Sequence, residues 1–379
     1  MERRNFWAAF RNKLILAGIL MAGVGGIYGL EHLFNLIYIH PRTIELSGSQ
    51  FDNSLPLKPG NAFSTESATK LPNNFAVYNF EALDHNTLVL NRTDASYTGM
   101  KLSLLHLDDN RVKDLDSSVL YDTFSFWNGT LIYSRYRSNQ TQETYAYDLA
   151  SGQKKLLFSD KSFYLRQAGN EALIGFDGTT YRLYHPKTEK KEMLYTYKQL
   201  QERIAKPAGI NARDVFPFDL SGTNDQQTYI LAQLGEHSGI YRHPLKGEAD
   251  GTLMLKADEI HDFRVLKNGD LLVLGTVAHV QGLYRFHSES GTYELLKQGA
   301  IWGFGIDEEQ FRLAYLLGTD KRTNEVHVAY LQETGLDSDT VVYRNIDQFL
   351  KLSWKGDDLF VLGSSVDNSE IYRFTFRPW

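Results

Sequence analysis

The sequence predicts an all-β protein: a seven-bladed β-propeller, with a six-bladed ring as the alternative, carried behind an N-terminal transmembrane helix. Three observations predict it. A segment alternating apolar with polar residues recurs along the chain, and its equivalent positions Leu104, Tyr145, Tyr181, Tyr241, Tyr284, Val328 and Tyr372 stand 41, 36, 60, 43, 44 and 44 residues apart. Upstream of each copy a turn leads into a short apolar strand, as in NGDLLVLGT (268–276) and GDDLFVLGS (356–364). Ahead of the repeats, Leu14 to Leu30 run without a charge behind a basic segment.

The N-terminal elements follow from charge and hydropathy. Residues 1–13 carry Arg3, Arg4, Arg11 and Lys13 against Glu2, and read as a short cytoplasmic segment. The run LILAGILMAGVGGIYGL is about 25 Å long as a helix, the short edge of a bilayer span. Glu31 and His32 interrupt it, and LFNLIYI extends it to Ile39 before Pro41. Residues 14–39 are therefore expected to be a membrane anchor, with the basic flank inside and the remainder of the chain outside. No small-residue cleavage site follows the run, which favours an uncleaved anchor over a signal peptide. Residues 40–74, rich in Ser, Asn, Pro and Thr, read as an extended tether.

From residue 75 to 379 the blades are expected at 75–117, 118–160, 161–198, 211–257, 258–298, 299–344 and 345–379. Four short antiparallel strands in units of about forty residues are the mark of a propeller blade. The first strand of each unit carries a core landmark: Phe80, Phe124, Leu165, Phe218, Phe263, Phe304 and Phe349. The second strand carries an apolar triplet such as LVL or LFVL, as a strand buried on both faces requires. The long spacing between Tyr181 and Tyr241 contains YTYKQLQERIAKPAGINAR, whose helix formers predict a helical insertion near 197–212, ended by Pro207 and Gly209. The last unit has three strands only. A ring needs a fourth, and an N-terminal segment (Thr43–Ser47, or one within 62–70) is the natural donor.

ETYAYDLASGQKKLLF (143–158) resembles the strand–turn–strand phrase of TolB-like and related WD40-like propellers, and LSWKGDDLFVLG (352–363) is similar to their Trp-Ser-Pro-Asp-Gly turn. The Gly-His and Trp-Asp pairs of true WD40 repeats are absent. The resemblance implies the fold and no particular activity, because propellers host binding modules, scaffolds and several enzyme chemistries.

Composition narrows the function. The 379 residues include no Cys, which excludes disulfides, thiolate metal sites and cysteine nucleophiles. The formal charge of −6 argues against a nucleic-acid partner. No zinc-protease, serine-hydrolase or phosphate-loop motif occurs, and no cofactor is implied. Asp108-Asp109, Asp337/Asp339 and Asp357-Asp358 read as solvated turn residues. His185, His243 and His287 end equivalent strands, and Arg182, Arg242, Arg285 and Arg373 follow the aromatic landmark; both sets read as structural.

The informative positions are those that open the innermost strands, which a ring brings toward one funnel. They nominate Asp122, His261, Asp262, Trp302 and Asp347 as a ligand-binding set. The expected work is binding of a protein, peptide or envelope glycan outside the membrane. One alternative is a lyase- or lactonase-type enzyme holding a metal with Asp122, Asp262, Asp347 and His261. Another is a sensory ectodomain acting through a membrane partner.

Overall fold

A computed structural model describes Phe63 and residues 65–71, 75–93, 99–120, 124–127, 129–137, 141–161, 164–168, 172–224, 227–245, 251–319, 324–346, 348–364 and 369–376. The predicted membrane anchor lies outside them, and among the described residues no helix is long and apolar enough to cross a membrane.

The first strand in chain order, β1 (Thr65–Leu71), belongs to the last blade. Blade 1 is β2 (Ala76–Asp84), β3 (Thr87–Thr93), β4 (Lys101–His106) and β5 (Arg111–Ser117). Blade 2 is β6 (Ser125–Trp127), β7 (Thr130–Arg137), β8 (Thr141–Asp148) and β9 (Lys154–Lys161). Blade 3 is β10 (Tyr164–Ala168), β11 (Ala172–Phe176), β12 (Thr180–His185) and β13 (Lys190–Thr196). Helix α1 (Tyr197–Ala208) and a 3₁₀ turn (Ala212–Asp214) lead into blade 4. That blade is β14 (Val215–Asn224), β15 (Gln227–Leu234), β16 (His237–Pro244) and β17 (Thr252–Ala257). Blade 5 is β18 (Glu259–Val265), β19 (Leu271–Val277), β20 (Val280–His287) and β21 (Thr292–Gln298). Blade 6 is β22 (Ala300–Asp307), β23 (Arg312–Gly318), β24 (Asn324–Gln332) and β25 (Gly335–Ile346). Blade 7 is β26 (Gln348–Lys355), β27 (Asp358–Ser364) and β28 (Ser369–Phe376), completed by β1.

The fold is thus an all-β, seven-bladed propeller. Within each blade neighbouring strands run antiparallel. Blades 3 and 4 also touch through one parallel pair, Ala168 with Gly222. First strands of neighbouring blades lie side by side, β22 by β26 and β26 by β2, which places them innermost. The seventh blade closes by antiparallel pairing of β1 with β28, from Thr65 opposite Phe376 to Leu71 opposite Ile371. Lys70 and Glu370 form an ion pair on this ladder. Just ahead of β1, Phe63 stacks on Tyr330 with centroids 4.5 Å apart and meets Phe376 edge-on at 5.8 Å.

The apolar triplets are buried on both faces, because each blade is covered by its neighbours. Phe80, Leu88 and Leu90 of blade 1 pack with Phe360, Leu362 and Ile371 of blade 7. Phe263, Val273 and Tyr284 of blade 5 pack with Tyr229, Leu231 and Ile240 of blade 4.

Polar networks tie the outer strands of successive blades. In blade 2, Tyr133, Tyr145 and Glu143 surround Lys154, which pairs with Asp116 from blade 1. In blade 6 the equivalent Tyr315, His327 and Glu325 surround Asp339, which pairs with Lys297 from blade 5 at 2.7 Å. The charges are exchanged between the two sites: the neighbouring blade supplies the acid in one and the base in the other. Burial opposes ionisation of Asp339, but hydrogen bonds from His327, Lys297 and Tyr315 outweigh it and hold its carboxyl well below the usual range. Asp339 and Asp358, expected as solvated turn residues, are therefore ion-pair partners, Asp339 of Lys297 across a blade boundary and Asp358 of Arg373 within blade 7.

Helix α1 starts at a capping box, with Thr196 accepting from the Gln199 N–H, and ends at Gly209 with φ 67°. It buries Leu200, Ile204 and Ala205 against Tyr181, Tyr195, Ile230 and Tyr241, filling the junction of blades 3 and 4. The helix runs through Pro207 where the sequence predicts a stop. Proline has no N–H for the Arg203 carbonyl. The Tyr241 hydroxyl donates to that carbonyl instead, at 3.2 Å.

Candidate functional site

The innermost strands of blades 1, 4, 5, 6 and 7 share a bulge near their start. The register slips between Val77 and Asn79, Pro217 and Asp219, Ile260 and Asp262, Ile301 and Gly303, and Phe349 and Lys351. The extra residue in blades 5 and 6 is His261 and Trp302. A bulge re-aims a side chain at a sheet end, and both residues are exposed, Trp302 to 68 %. The indole lies over Gly318, where a Cβ would stand 2.8 Å from Nε1. His261 Nδ1 lies 3.6 Å from Glu259, and the half-buried Asp262 accepts from the Phe263 N–H at 2.8 Å.

The bulges also correct the reading frame. In blades 4 and 7 the residues in register with Phe263 are Leu220 and Leu352, not Phe218 and Phe349. In blade 7 the positions equivalent to His261 and Asp262 are Leu350 and Lys351, so Asp347 stands outside the frame that nominated it. Asp122 and Asp347 themselves lie outside the described residues. Lys351 donates to Asn79 and Glu81 of blade 1, both at 3.0 Å. Among the described residues no three His, Asp or Glu side chains are grouped to hold a metal.

Concave surface occurs at the other end of these strands, roughly 15 Å along β18 from His261. Two adjoining grooves share Leu266, Lys267, Asn268 and Glu308 as a common wall. One, of about 490 Å³, lies between blades 5 and 6 and includes Arg285, Gln310, Phe311 and Tyr330. The other, of about 670 Å³, lies between blades 4 and 5 and includes Gln227, Tyr229, Arg242 and Glu289. Both are built by the turns that follow the first and third strands of each blade.

The shared wall is rigid for local reasons. The Lys267 N–H donates to Glu308 across the blade boundary at 2.7 Å. Behind it, Asp270 accepts from Arg285 at 2.9 Å, the Ser288 N–H at 3.0 Å and Asn268 at 3.0 Å. Arg285 also donates to the Gln332 carbonyl at 3.0 Å. Burial opposes ionisation of Asp270, but the hydrogen bonds from Ser288, Arg285 and Asn268 prevail and lower its pKa. Next in sequence to the groove residue Phe311, Arg312, with a side chain 4 % exposed, binds Asp307 at 2.6 Å and Asp357 of blade 7 at 3.3 Å. Its guanidinium stands 4.5 Å from the Trp354 ring.

Phe311 stands out on this rim. It is 62 % exposed and left-handed, with φ 54°, a conformation that a bulky side chain rarely adopts. Its carbonyl is held by the Leu331 N–H at 2.7 Å. Sequence reasoning missed this rim because it weighed strand starts alone.

No protein-family model and no curated protein sequence matches the chain. Solved structures do match. The chain is similar to an oligogalacturonate lyase in complex with manganese (TM-score 0.60, 9 % identity, 83 % of this chain and 94 % of that one). It is similar to the oligogalacturonate lyase of Vibrio parahaemolyticus (TM-score 0.58, 8 % identity, 82 % and 94 % coverage). It is also similar to the β-propeller domain of the Trilobed protease of Pyrococcus furiosus (TM-score 0.56, 11 % identity, 80 % and 96 % coverage), which is described as having an open velcro topology. At such identities the likeness is one of fold, and at that level the resemblance read from the repeats holds.

Proposed function

We propose that this chain is a single-pass, membrane-anchored propeller that works outside the membrane as a binding module, taking a protein or envelope glycan on the rim formed by the turns of blades 4 to 6. The anchor rests on the uncharged run Leu14–Leu30 behind Arg3, Arg4, Arg11 and Lys13. The observation that carries the binding role is the pair of adjoining grooves, about 490 and 670 Å³, with exposed Phe311 beside them. Volumes of this order accommodate a peptide side-chain cluster or a short saccharide. A strained, exposed aromatic on a rigid wall is the kind of feature that recognition sites retain at a local cost in stability.

The test is affinity isolation of the full chain from alkaline-washed native membranes. The wild type should stay with the washed membrane and capture a partner. Phe311→Ala should lose that partner while shifting stability by less than about 0.5 kcal/mol, as an exposed substitution does. Trp302→Ala, on the opposite rim, should retain it. Release of the intact chain by the wash removes the anchor from this reading. Capture lost in Trp302→Ala but kept in Phe311→Ala moves the site to the other rim.

A further inference from the structure

The Tyr-Arg dipeptide recurs at equivalent places in blades 4, 5 and 7: Tyr241-Arg242, Tyr284-Arg285 and Tyr372-Arg373. Register fixes the equivalence, because Arg242, Arg285 and Arg373 lie opposite Tyr229, Leu272 and Phe360 of the second strand. Two residues before those partners stand Gln227, Asp270 and Asp358. In blades 5 and 7 the acid neutralises the arginine, with Asp270 to Arg285 at 2.9 Å and Asp358 to Arg373 at 2.7 Å. In blade 4 an amide occupies the acid's place. The Arg242 backbone is held in the ladders of β15 and β17, but among the described residues its guanidinium makes no hydrogen bond and no ion pair.

Arg242 is half-buried and lines the larger groove, with Lys267 on the shared wall. Glu289 and Glu308 line the same groove. The Glu308 carboxylate is engaged by the Lys267 N–H, and no ion pair joins either carboxylate to Arg242. A partly desolvated guanidinium without a counter-charge is costly in isolation and suited to an oxyanion that offers two oxygens, a carboxylate or a phosphate, which it can bind through two parallel N–H donors.

We propose that Arg242, assisted by Lys267, is an oxyanion-recognition site: the groove between blades 4 and 5 takes the carboxylate or phosphate group of the molecule bound at this rim. The loss of the repeat's own acid at Gln227 vacates the arginine for that group. This deepens the binding role proposed above and rests on it.

The test is isothermal titration of the full-length protein with two probes, inorganic phosphate and citrate. Wild type should bind at least one of them; phosphate alone identifies a phosphoryl ligand and citrate alone a carboxylate, and either result supports the site. Arg242→Gln should weaken that binding about tenfold or more, the worth of a charge-assisted pair. Gln227→Asp should restore the ion pair of blades 5 and 7, abolish probe binding and leave the thermal midpoint equal or higher. Failure of both probes to bind wild type, or binding unchanged in Arg242→Gln, overturns the proposal. Probe binding that survives while Phe311→Ala still captures the membrane partner leaves the oxyanion site standing and removes only the placement of that partner on this rim.

Discussion

Asp270 illustrates how single residues make this rim a fixed surface. Its side chain is 9 % exposed and that of Arg285 11 %, so removing either charge leaves the other largely buried without its counter-charge. Asp270→Asn is expected to destabilise the protein by about 3 kcal/mol, measured as a lower unfolding midpoint at neutral pH. The sign of its pH dependence follows from the lowered pKa. A carboxyl depressed in the folded state stabilises in full above its unfolded value, and the gain disappears as pH falls through the lower folded value. The wild-type and Asp270→Asn midpoints should therefore be far apart at neutral pH and converge in acid below the ordinary value of 3.8. Parallel curves would contradict this account. The arginine partners themselves were readable as structural from the recurring Tyr-Arg dipeptide. Arg242 is the exception, and comparison of Gln227 with Asp270 and Asp358 is the signal that finds it.

Among the elements, α1 shows how far composition reaches. Helix formers and Gly209 place it, but Pro207 marks no boundary, because in the last turn a proline forfeits a single hydrogen bond and a neighbouring side chain can replace it. Tyr241 does so while its hydroxyl also accepts from the Gly251 N–H at 3.0 Å. Tyr241→Phe should cost about 1 kcal/mol in the parent and less in a Pro207→Ala background, where the helix regains its own donor. A double-mutant cycle read by denaturant unfolding measures that coupling, and additivity would refute it. The innermost strands show where pattern fails. A bulge inserts one residue and shifts the alternation of faces, so an aromatic two or three positions early, Phe218 or Phe349, passes for the core residue. The register of Phe263 belongs to Leu220 and to the buried Leu352, which no apolar count distinguishes from their neighbours. The nominated His261 and Trp302 coincide with the extra bulge residues because blades 5 and 6 keep Phe263 and Phe304 in frame; Asp347 was nominated because blade 7 does not.

At the scale of the molecule, the repeat period and its apolar triplets carried the seven-bladed ring, since every unit must bury two faces against its neighbours. The grooves were not readable, because they arise between units, from turns whose spatial proximity no single repeat encodes. Ring integrity depends on the ladder between β1 and β28. Ala68 lies opposite Phe374 within it, and Ala68→Pro, which removes a donor and fixes φ, should cost about 1 kcal/mol or more, the worth of a ladder hydrogen bond. Hydrogen exchange should show the loss first in β1 and β28, and uniform protection across blade 7 would argue against it. This ladder also sets an order of events during synthesis. Thr65 leaves the ribosome roughly three hundred residues before its partner Phe376, so the opening strand must wait unpaired while six blades assemble behind it. Only synthesis of β28 supplies the edge that locks it, which makes a chain cut short of β28 an open ring with two raw edges and a ready target for quality-control proteases.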